Sequence, residues 1–159
     1  MSDKITPFLW LDDRAEEAAH FYVSVFRNGR IIRPAPDSAE APGESGGALT
    51  VEFEIEGQRF IGLNGGPHFA FTPAVSFLID CKDQAEVDYF WERLTAEGGE
   101  PGRCGWLKDK FGLSWQVVPE ALRRLLAADD EARSDAVAAA MLEMSKLDVA
   151  LLQAAYDAA

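Results

Sequence analysis

The side chains that most often perform chemistry in proteins are few in this sequence and stand far apart. It contains two histidines, His20 and His68, and two cysteines, Cys81 and Cys104. They do not have the spacing of a zinc site, and no Cys-x-x-Cys motif is present. The sequence also lacks the phosphate-binding loop GxxxxGK[ST] and a strand followed by GxGxxG. We therefore leave catalytic residues unassigned and predict no metal site and no cofactor.

Five side chains remain as candidates for binding a small molecule. An amide both donates and accepts hydrogen bonds, so Gln116 could orient a ligand carbonyl, and Asn64, before two glycines, could present its amide at the mouth of a pocket. The alternatives are satisfying neighbouring backbone groups for Gln116 and capping a turn, which we favour, for Asn64. Trp106 and Trp10 could wall an aromatic cavity or belong to the core. His68 lies in a loop and could act as an acid, a base or a metal ligand.

Other reactive side chains have simpler interpretations. We interpret Cys104 as a small buried thiol rather than a nucleophile, because only Arg103 and Lys108 lie near it in sequence to stabilise a thiolate. The thiol state of Cys81 and Cys104 stays open, although we expect both to be reduced. Lys108 and Asp109 form either a solvated ion pair in a turn or a loop contact to a substrate.

Composition excludes several classes of partner. The chain has 159 residues, with 27 acidic and 15 basic side chains, and its formal net charge is −12. Such a charge repels phosphate backbones and anionic membranes, so we expect no nucleic-acid partner. No apolar run is long enough to span a membrane, and the first residues lack a signal-peptide pattern. We predict a cytoplasmic protein.

Hydrophobic periodicity predicts the elements that must position these side chains. Residues 5–11 form a strand and residues 14–26 a helix, with Asp12 or Asp13 as its N-cap. After a loop at 33–47, alternation predicts a strand over 48–56 that returns over 59–63 through a hairpin. The alternation turns Glu52, Glu54 and Glu56 towards solvent.

The same order then repeats. A strand at 73–80 is followed by a helix at 83–97 and by strands at 100–107 and 113–119. Aligning Phe21 with Phe90 places the strand around Phe8 over the strand around Phe77. We predict an α+β fold of two βαβββ modules, about 5–67 and 72–119, that form a curved mixed sheet within residues 1–127. The segments 119–127 and 134–159 should be helices. Residues 128–159 form a helical tail that packs on the body or on a partner subunit.

Paired βαβββ modules resemble the vicinal oxygen chelate superfamily, which includes glyoxalase I, bleomycin-resistance proteins and extradiol dioxygenases. Within it, the segments 21–26, 63–67 and above all 104–119 resemble the PhnB-like family. Many of its members carry the label 3-demethylubiquinone-9 3-methyltransferase domain. The resemblance covers nearly the whole chain, including residues 144–148 in the tail, and it implies a homodimer.

The resemblance also implies where a metal would bind. In metal-dependent members of the superfamily, each module contributes ligands from its first and last strands. Gln116, four residues after Gly112, resembles the position of a ligand glutamate in glyoxalase I, but Ile61 stands four residues after Gly57. The first strands contribute no His, Asp or Glu. We therefore expect a small-molecule-binding protein with an apolar pocket and no complete metal site.

Two alternatives remain. One is a metal-dependent lyase, isomerase or dioxygenase in which His68, with Glu52 or Glu54, recruits the ion. The other is sequestration of an antibiotic-like compound. Methyl transfer is not expected, because Leu11 leads into Asp12 rather than into the Gly-rich loop that methyl transfer from S-adenosylmethionine ordinarily needs.

Overall fold

The computed structural model describes residues 4–34 and 49–159. Their contacts divide the chain into two units, Met1–Phe71 and Thr72–Ala159, so the C-terminal tail belongs to the second unit. Each unit contains a four-stranded mixed sheet with a helix on one face. The predicted α+β class with two repeated modules is confirmed.

The first unit contains five elements, which are β1 (Phe8–Trp10), α1 (Ala15–Val25), β2 (Arg30–Pro34), β3 (Thr50–Ile55) and β4 (Gln58–Leu63). The sheet order is β1-β4-β3-β2, with β1 parallel to β4 and the other pairs antiparallel. Alternation in β3 buries Val51, Phe53 and Ile55. Tyr22 of α1 stacks on Phe53, with ring centroids 5.8 Å apart, so one face of this sheet is covered by α1.

One strand of the first unit was not predicted, and one predicted loop and strand are only partly described. Strand β2 was not predicted, because Arg30 and Arg33 leave only two apolar residues between them. This strand is stabilised by its pairing with β3, which the local sequence pattern does not indicate. Residues 35–48, which include most of the predicted loop and the first residue of the strand predicted at 48–56, lie outside the described residues.

The second unit repeats this plan and adds three helices. Its elements are β5 (Ser76–Cys81), α2 (Gln84–Thr95), β6 (Glu100–Pro101), β7 (Trp106–Lys108), β8 (Ser114–Pro119), α3 (Glu120–Leu126), α4 (Glu131–Leu142) and α5 (Val149–Asp157). The sheet order is β5-β8-β7-β6, and β5 is parallel to β8. Both the order of the strands and the place of the parallel pair match those of the first unit.

The strand predicted over 100–107 is interrupted. Cys104 and Gly105 have φ values of 55° and 82°, in the left-handed region that an extended strand cannot contain. Gly105 also lacks room for a side chain, since a Cβ there would lie 2.9 Å from the carbonyl oxygen of Val117. The segment therefore divides into β6 and β7, which pair with each other on either side of this turn.

Strand register corrects the alignment of the two modules by one residue. Phe8 pairs with Ile61, and Leu78 pairs with Gln116. Since Ile61 and Gln116 both stand four residues after a hairpin glycine, Phe8 corresponds to Leu78 rather than to Phe77. Burial agrees, because Phe8 and Leu78 are both exposed.

The tail helices pack within the second unit. Helices α4 and α5 are separated by residues 143–148, where the backbone N–H groups of Cys104 and Gly105 donate to the carbonyls of Met144 and Ser145. Asp148 then caps α5 by accepting from the backbone N–H of Leu151. The buried cluster beneath these helices consists of Val118, Leu122, Leu125, Val137, Leu147 and Leu152. Within the described part of the chain, no helix has the length and apolarity needed to cross a membrane.

Candidate functional site

In the second unit, one sheet face is covered by α2 and the other carries the candidate site. Leu107, Ile79 and Val117 are buried on the face that packs against α2. On the opposite face, Gln116 of β8 lies between Leu78 of β5 and Trp106 of β7 as their direct cross-strand partner. We name these three residues the Gln116 row, and the face that carries them the open face of this sheet.

The Gln116 row combines apolar surface with polar groups that the protein does not fully pair. Leu78 is 49% exposed, whereas Gln116 and Trp106 are half-buried. The Nε2 atom of Gln116 donates to Ser76 Oγ at 2.9 Å, which fixes the plane of the amide. Within residues 4–34 and 49–159, Gln116 Oε1 accepts no hydrogen bond and the indole N–H of Trp106 donates none. The row can therefore offer one acceptor and one donor to a bound molecule.

The rows on either side of the Gln116 row limit its extent. Two residues further along β8, Val118 belongs to the cluster covered by the tail helices. Beside Val118, Asp80 forms an ion pair with Arg123 of α3. On the other side, Lys108 forms an ion pair with Glu100 at 3.0 Å. The Gln116 row thus has, on one side, a row that is covered by the tail helices and, on the other, a row in which Lys108 is paired with Glu100.

The first unit brings together two other predicted residues. The indole N–H of Trp10 donates to the carbonyl oxygen of Gly66 at 2.7 Å, and a Cβ at Gly65 would lie only 2.5 Å from the ring. The ring of His68 lies edge-on to Trp10 at 6.4 Å, and that of Phe69 at 4.9 Å. A glycine at position 65 is thus needed to seat the ring of Trp10, and the side-chain N–H of this tryptophan is already used.

Asn64 begins a helix. Its Oδ1 accepts from the backbone N–H of Ala15 at 2.8 Å, and its Nδ2 donates to Glu16 at 2.9 Å. The cap predicted at Asp12 or Asp13 was wrong, because the N-cap position is Arg14, which makes no side-chain cap hydrogen bond. Since both ends of the Asn64 amide are engaged within the first unit, we leave it out of the proposed site.

The environment of Asp109 fits neither a solvated ion pair with Lys108 nor a loop contact to a substrate. Asp109 is 1% exposed, so it is not a solvated partner of Lys108. Oδ1 accepts from the backbone N–H groups of Phe111 and Leu113, and Oδ2 accepts from the indole N–H of Trp115 at 2.8 Å. The side chain of an Asp at the start of a tight turn commonly accepts a hydrogen bond from the backbone N–H two residues later. The carboxylate organises the turn that leads into β8 and hence places Gln116.

The two cysteines differ in environment, which gives a direct prediction. Cys81 is fully buried, and burial, assisted by the charges of Glu86 and Asp83, raises the pKa of its thiol to about 12. Cys104 is half-buried. At pH 8 we expect a thiol reagent to modify Cys104 in the folded protein and Cys81 only after unfolding, because the thiolate is the reactive form. Counting modified thiols in native protein, in denatured protein and in Cys104→Ser checks this, and rapid reaction of both native thiols would contradict it.

The residues at the positions of a superfamily metal site do not fit a divalent ion. In the first and last strands of the modules, register sets Phe8 beside Ile61 and Leu78 beside Gln116. Three of these side chains carry no donor atom, and the fourth is a neutral amide, whereas a divalent ion needs several nitrogen, oxygen or sulfur ligands.

The two glutamates considered as ligands of a non-standard metal site form ion pairs with arginines. Glu52 forms an ion pair with Arg59 at 2.7 Å, and Glu54 with Arg30 at 3.1 Å. The Arg30 hydrogen bond lowers the pKa of Glu54. In the described ranges, no three His, Cys, Asp or Glu side chains are placed to hold a metal ion.

Comparison with known proteins supports the same family by an independent route. Residues 3–118 match the family model described as 3-demethylubiquinone-9 3-methyltransferase. The chain belongs to this PhnB-like family. A Bacillus cereus structure described as a 3-demethylubiquinone-9 3-methyltransferase and PhnB protein is 32% identical, with a TM-score of 0.67. The match covers 74% of this chain and 99% of the Bacillus cereus chain.

More distant structures show the fold alone. Protein PA1353 from Pseudomonas aeruginosa is 20% identical with a TM-score of 0.64, and the match covers 75% of this chain and 98% of that one. The fosfomycin resistance protein FosX from Listeria monocytogenes is 17% identical with a TM-score of 0.51, over 75% and 93% of the two chains. No curated protein matches the chain. Membership of the PhnB-like family, predicted from the sequence, is confirmed.

Proposed function

We propose that the protein binds a small organic molecule on the open face of the second sheet, at the Gln116 row. The observation that carries this proposal is Gln116 Oε1, which accepts no hydrogen bond from the described residues, beside the half-exposed side chain of Leu78. Small-molecule sites are mostly apolar and contain a few fixed polar groups that set orientation. The hydrogen bond from Gln116 to Ser76 supplies that fixed orientation, and Trp106 supplies aromatic surface.

Methyl transfer is not part of the proposal. The family description names that reaction, but β1 ends at Trp10 and is followed by Leu11, Asp12 and Asp13 rather than by a Gly-rich loop. Such a loop ordinarily supplies the backbone contacts for a dinucleotide or methyl-donor cofactor. Trp10 and His68 stay as predicted ligand contacts of the first unit.

A charge introduced at Leu78 tests the proposed site. We expect Leu78→Lys to abolish saturable binding of compounds from a small-molecule library, measured by ligand-observed NMR. The folded state should tolerate this change, because an exposed leucine contributes little burial. Leu151→Lys is the matched control, since Leu151 is 58% exposed in the same unit and lies on α5. Equal binding to both variants, or no binding by the wild type, would refute the proposal.

We also propose that the protein is a homodimer in the cytoplasm. The apolar stripe of the tail suggested a dimer interface, but Leu147 and Leu152 of that tail are buried within the second unit. A dimer would therefore use other apolar side chains, among which Ile5 and Phe8 are exposed. We expect light scattering to give a two-subunit mass, and a one-subunit mass at micromolar concentration would contradict this.

A further inference from the structure

The Gln116 row contains a hydrogen-bond acceptor on Gln116 and a hydrogen-bond donor on its cross-strand partner Trp106. Gln116 and Trp106 are direct partners across antiparallel strands, so their Cβ atoms lie roughly 5 Å apart on the same face. Ser76 holds the Nε2 end of the amide, which leaves Oε1 as the end that a ligand can reach. The indole N–H of Trp106 has no acceptor in the described part of the chain. Both side chains are half-buried, and their polar atoms gain from a ligand that supplies the opposite pattern.

Lys108 and Asp80, the charged residues in the rows on either side of the Gln116 row, each form an ion pair. Lys108 is matched by Glu100, and Asp80 by Arg123. A bound anion would meet no unpaired cation in these two rows of the described strands and would also be repelled by the net charge of −12. A bound cation would find no unpaired carboxylate in the same two rows. Burying an unpaired charge is costly, so the row favours a neutral ligand.

We infer that the Gln116 row selects neutral ligands that carry an N–H donor next to a carbonyl acceptor, as a primary amide or lactam does, over carboxylates of the same shape. This inference rests on the proposed function and names the ligand class of its site. The ligand N–H would donate to Gln116 Oε1, the ligand carbonyl would accept from Trp106 Nε1, and the apolar remainder would cover Leu78. A carboxylate offers two acceptors and would set one of them against Gln116 Oε1.

The test uses three probes of one shape and different charge. Benzamide is neutral with a donor and an acceptor, benzoate is an anion with acceptors only, and benzamidinium is a cation with donors only. Each is titrated into the full chain labelled with nitrogen-15, with the indole N–H resonances as the signal. The Trp106→Phe variant identifies the resonance of Trp106 among those of the four tryptophans. We expect benzamide to shift it saturably, with affinity at least about tenfold above that of either charged probe.

A matched pair of variants separates a contact from a general effect. Gln116→Leu should reduce benzamide affinity about tenfold or more and abolish the preference over benzoate. Gln153→Leu changes the same atoms on α5, where Gln153 bonds to Asp157, and should leave affinity unchanged. Equal unfolding midpoints for both variants show that each is folded.

The outcomes separate the ligand class from the site itself. Benzoate or benzamidinium binding at Trp106 as tightly as benzamide would overturn the class, while the row would stand as a binding site. The class would also be overturned if benzamide left Trp106 unchanged while a library compound without a paired donor and acceptor shifted it. If no compound shifted Trp106, both the class and the proposed function would fail.

Discussion

Replacing Asp109 by alanine is expected to lower the free energy of unfolding by about 4 kcal/mol. The change removes three hydrogen bonds to a carboxylate that is 1% exposed. It also leaves two backbone N–H groups and the indole N–H of Trp115 without their acceptor in a buried turn. A buried donor that loses its partner costs more than the bond contributed, because water cannot replace the acceptor.

The Asp109 prediction is checked by urea unfolding followed through tryptophan fluorescence. Asp109→Asn keeps one acceptor oxygen and should lose about half as much stability. Asp129→Ala, an exposed aspartate of the same unit, should change the free energy of unfolding by less than about 0.5 kcal/mol. Equal stability of Asp109→Ala and Asp129→Ala would show that the turn holds its shape without the carboxylate. We also expect Asp109→Ala to weaken ligand binding, since the turn leads into β8.

Leu147→Ala is the second change with a large expected effect, about 3 kcal/mol. Leu147 is fully buried between the tail and the body of the second unit. Its side chain reaches the turn at Gly105, where a Cβ would lie 3.0 Å from Leu147 Cδ1. The Gln84 side chain holds the same segment by donating to the carbonyl of Leu147 and accepting from the backbone N–H of Val149. Truncation leaves a cavity that this bonded segment cannot close.

Leu151→Ala provides the comparison for Leu147. Leu151 lies four residues further along the chain and is 58% exposed, so its truncation should cost less than about 0.5 kcal/mol. Thermal unfolding of both variants, measured by circular dichroism, checks the difference. Equal midpoints for the two variants would mean that the tail does not stabilise the second unit, and the tail would then require another explanation, such as contact with a partner subunit.

Elements with strong local patterns could be predicted from the sequence. The helical stripe of α1 and the alternation of β3 each repeat over several residues, so periodicity was sufficient. Strand β2 and the division of the strand at 100–107 could not be predicted, since one depends on pairing with β3 and the other on the left-handed turn at Cys104 and Gly105. Likewise, the break between α4 and α5 contains neither Gly nor Pro and arises from bonds to a distant turn.

The candidate site was predictable in its residue types more than in its contacts. Gln116 and Trp106 were named separately, but their direct pairing follows from the register of β7 and β8. The spacing of Gln116 after Gly112 also predicted that it stands at the position that resembles a ligand glutamate of glyoxalase I. The role of Asp109 was missed, because the contact with Trp115 is made across the turn and only the two backbone bonds have a local signal.

The cap that Asn64 supplies to α1 also sets when this helix can be completed during synthesis of the chain. The helix begins at Ala15, but the oxygen that accepts its first N–H stands 49 residues later in the chain. At ribosomal rates, roughly 2–10 s separate the synthesis of the two residues. During that interval the first turn of α1 has no side-chain cap, and the helix can be completed only once β4 has been made. A nascent chain stopped before residue 64 should therefore hold this helix frayed at its start.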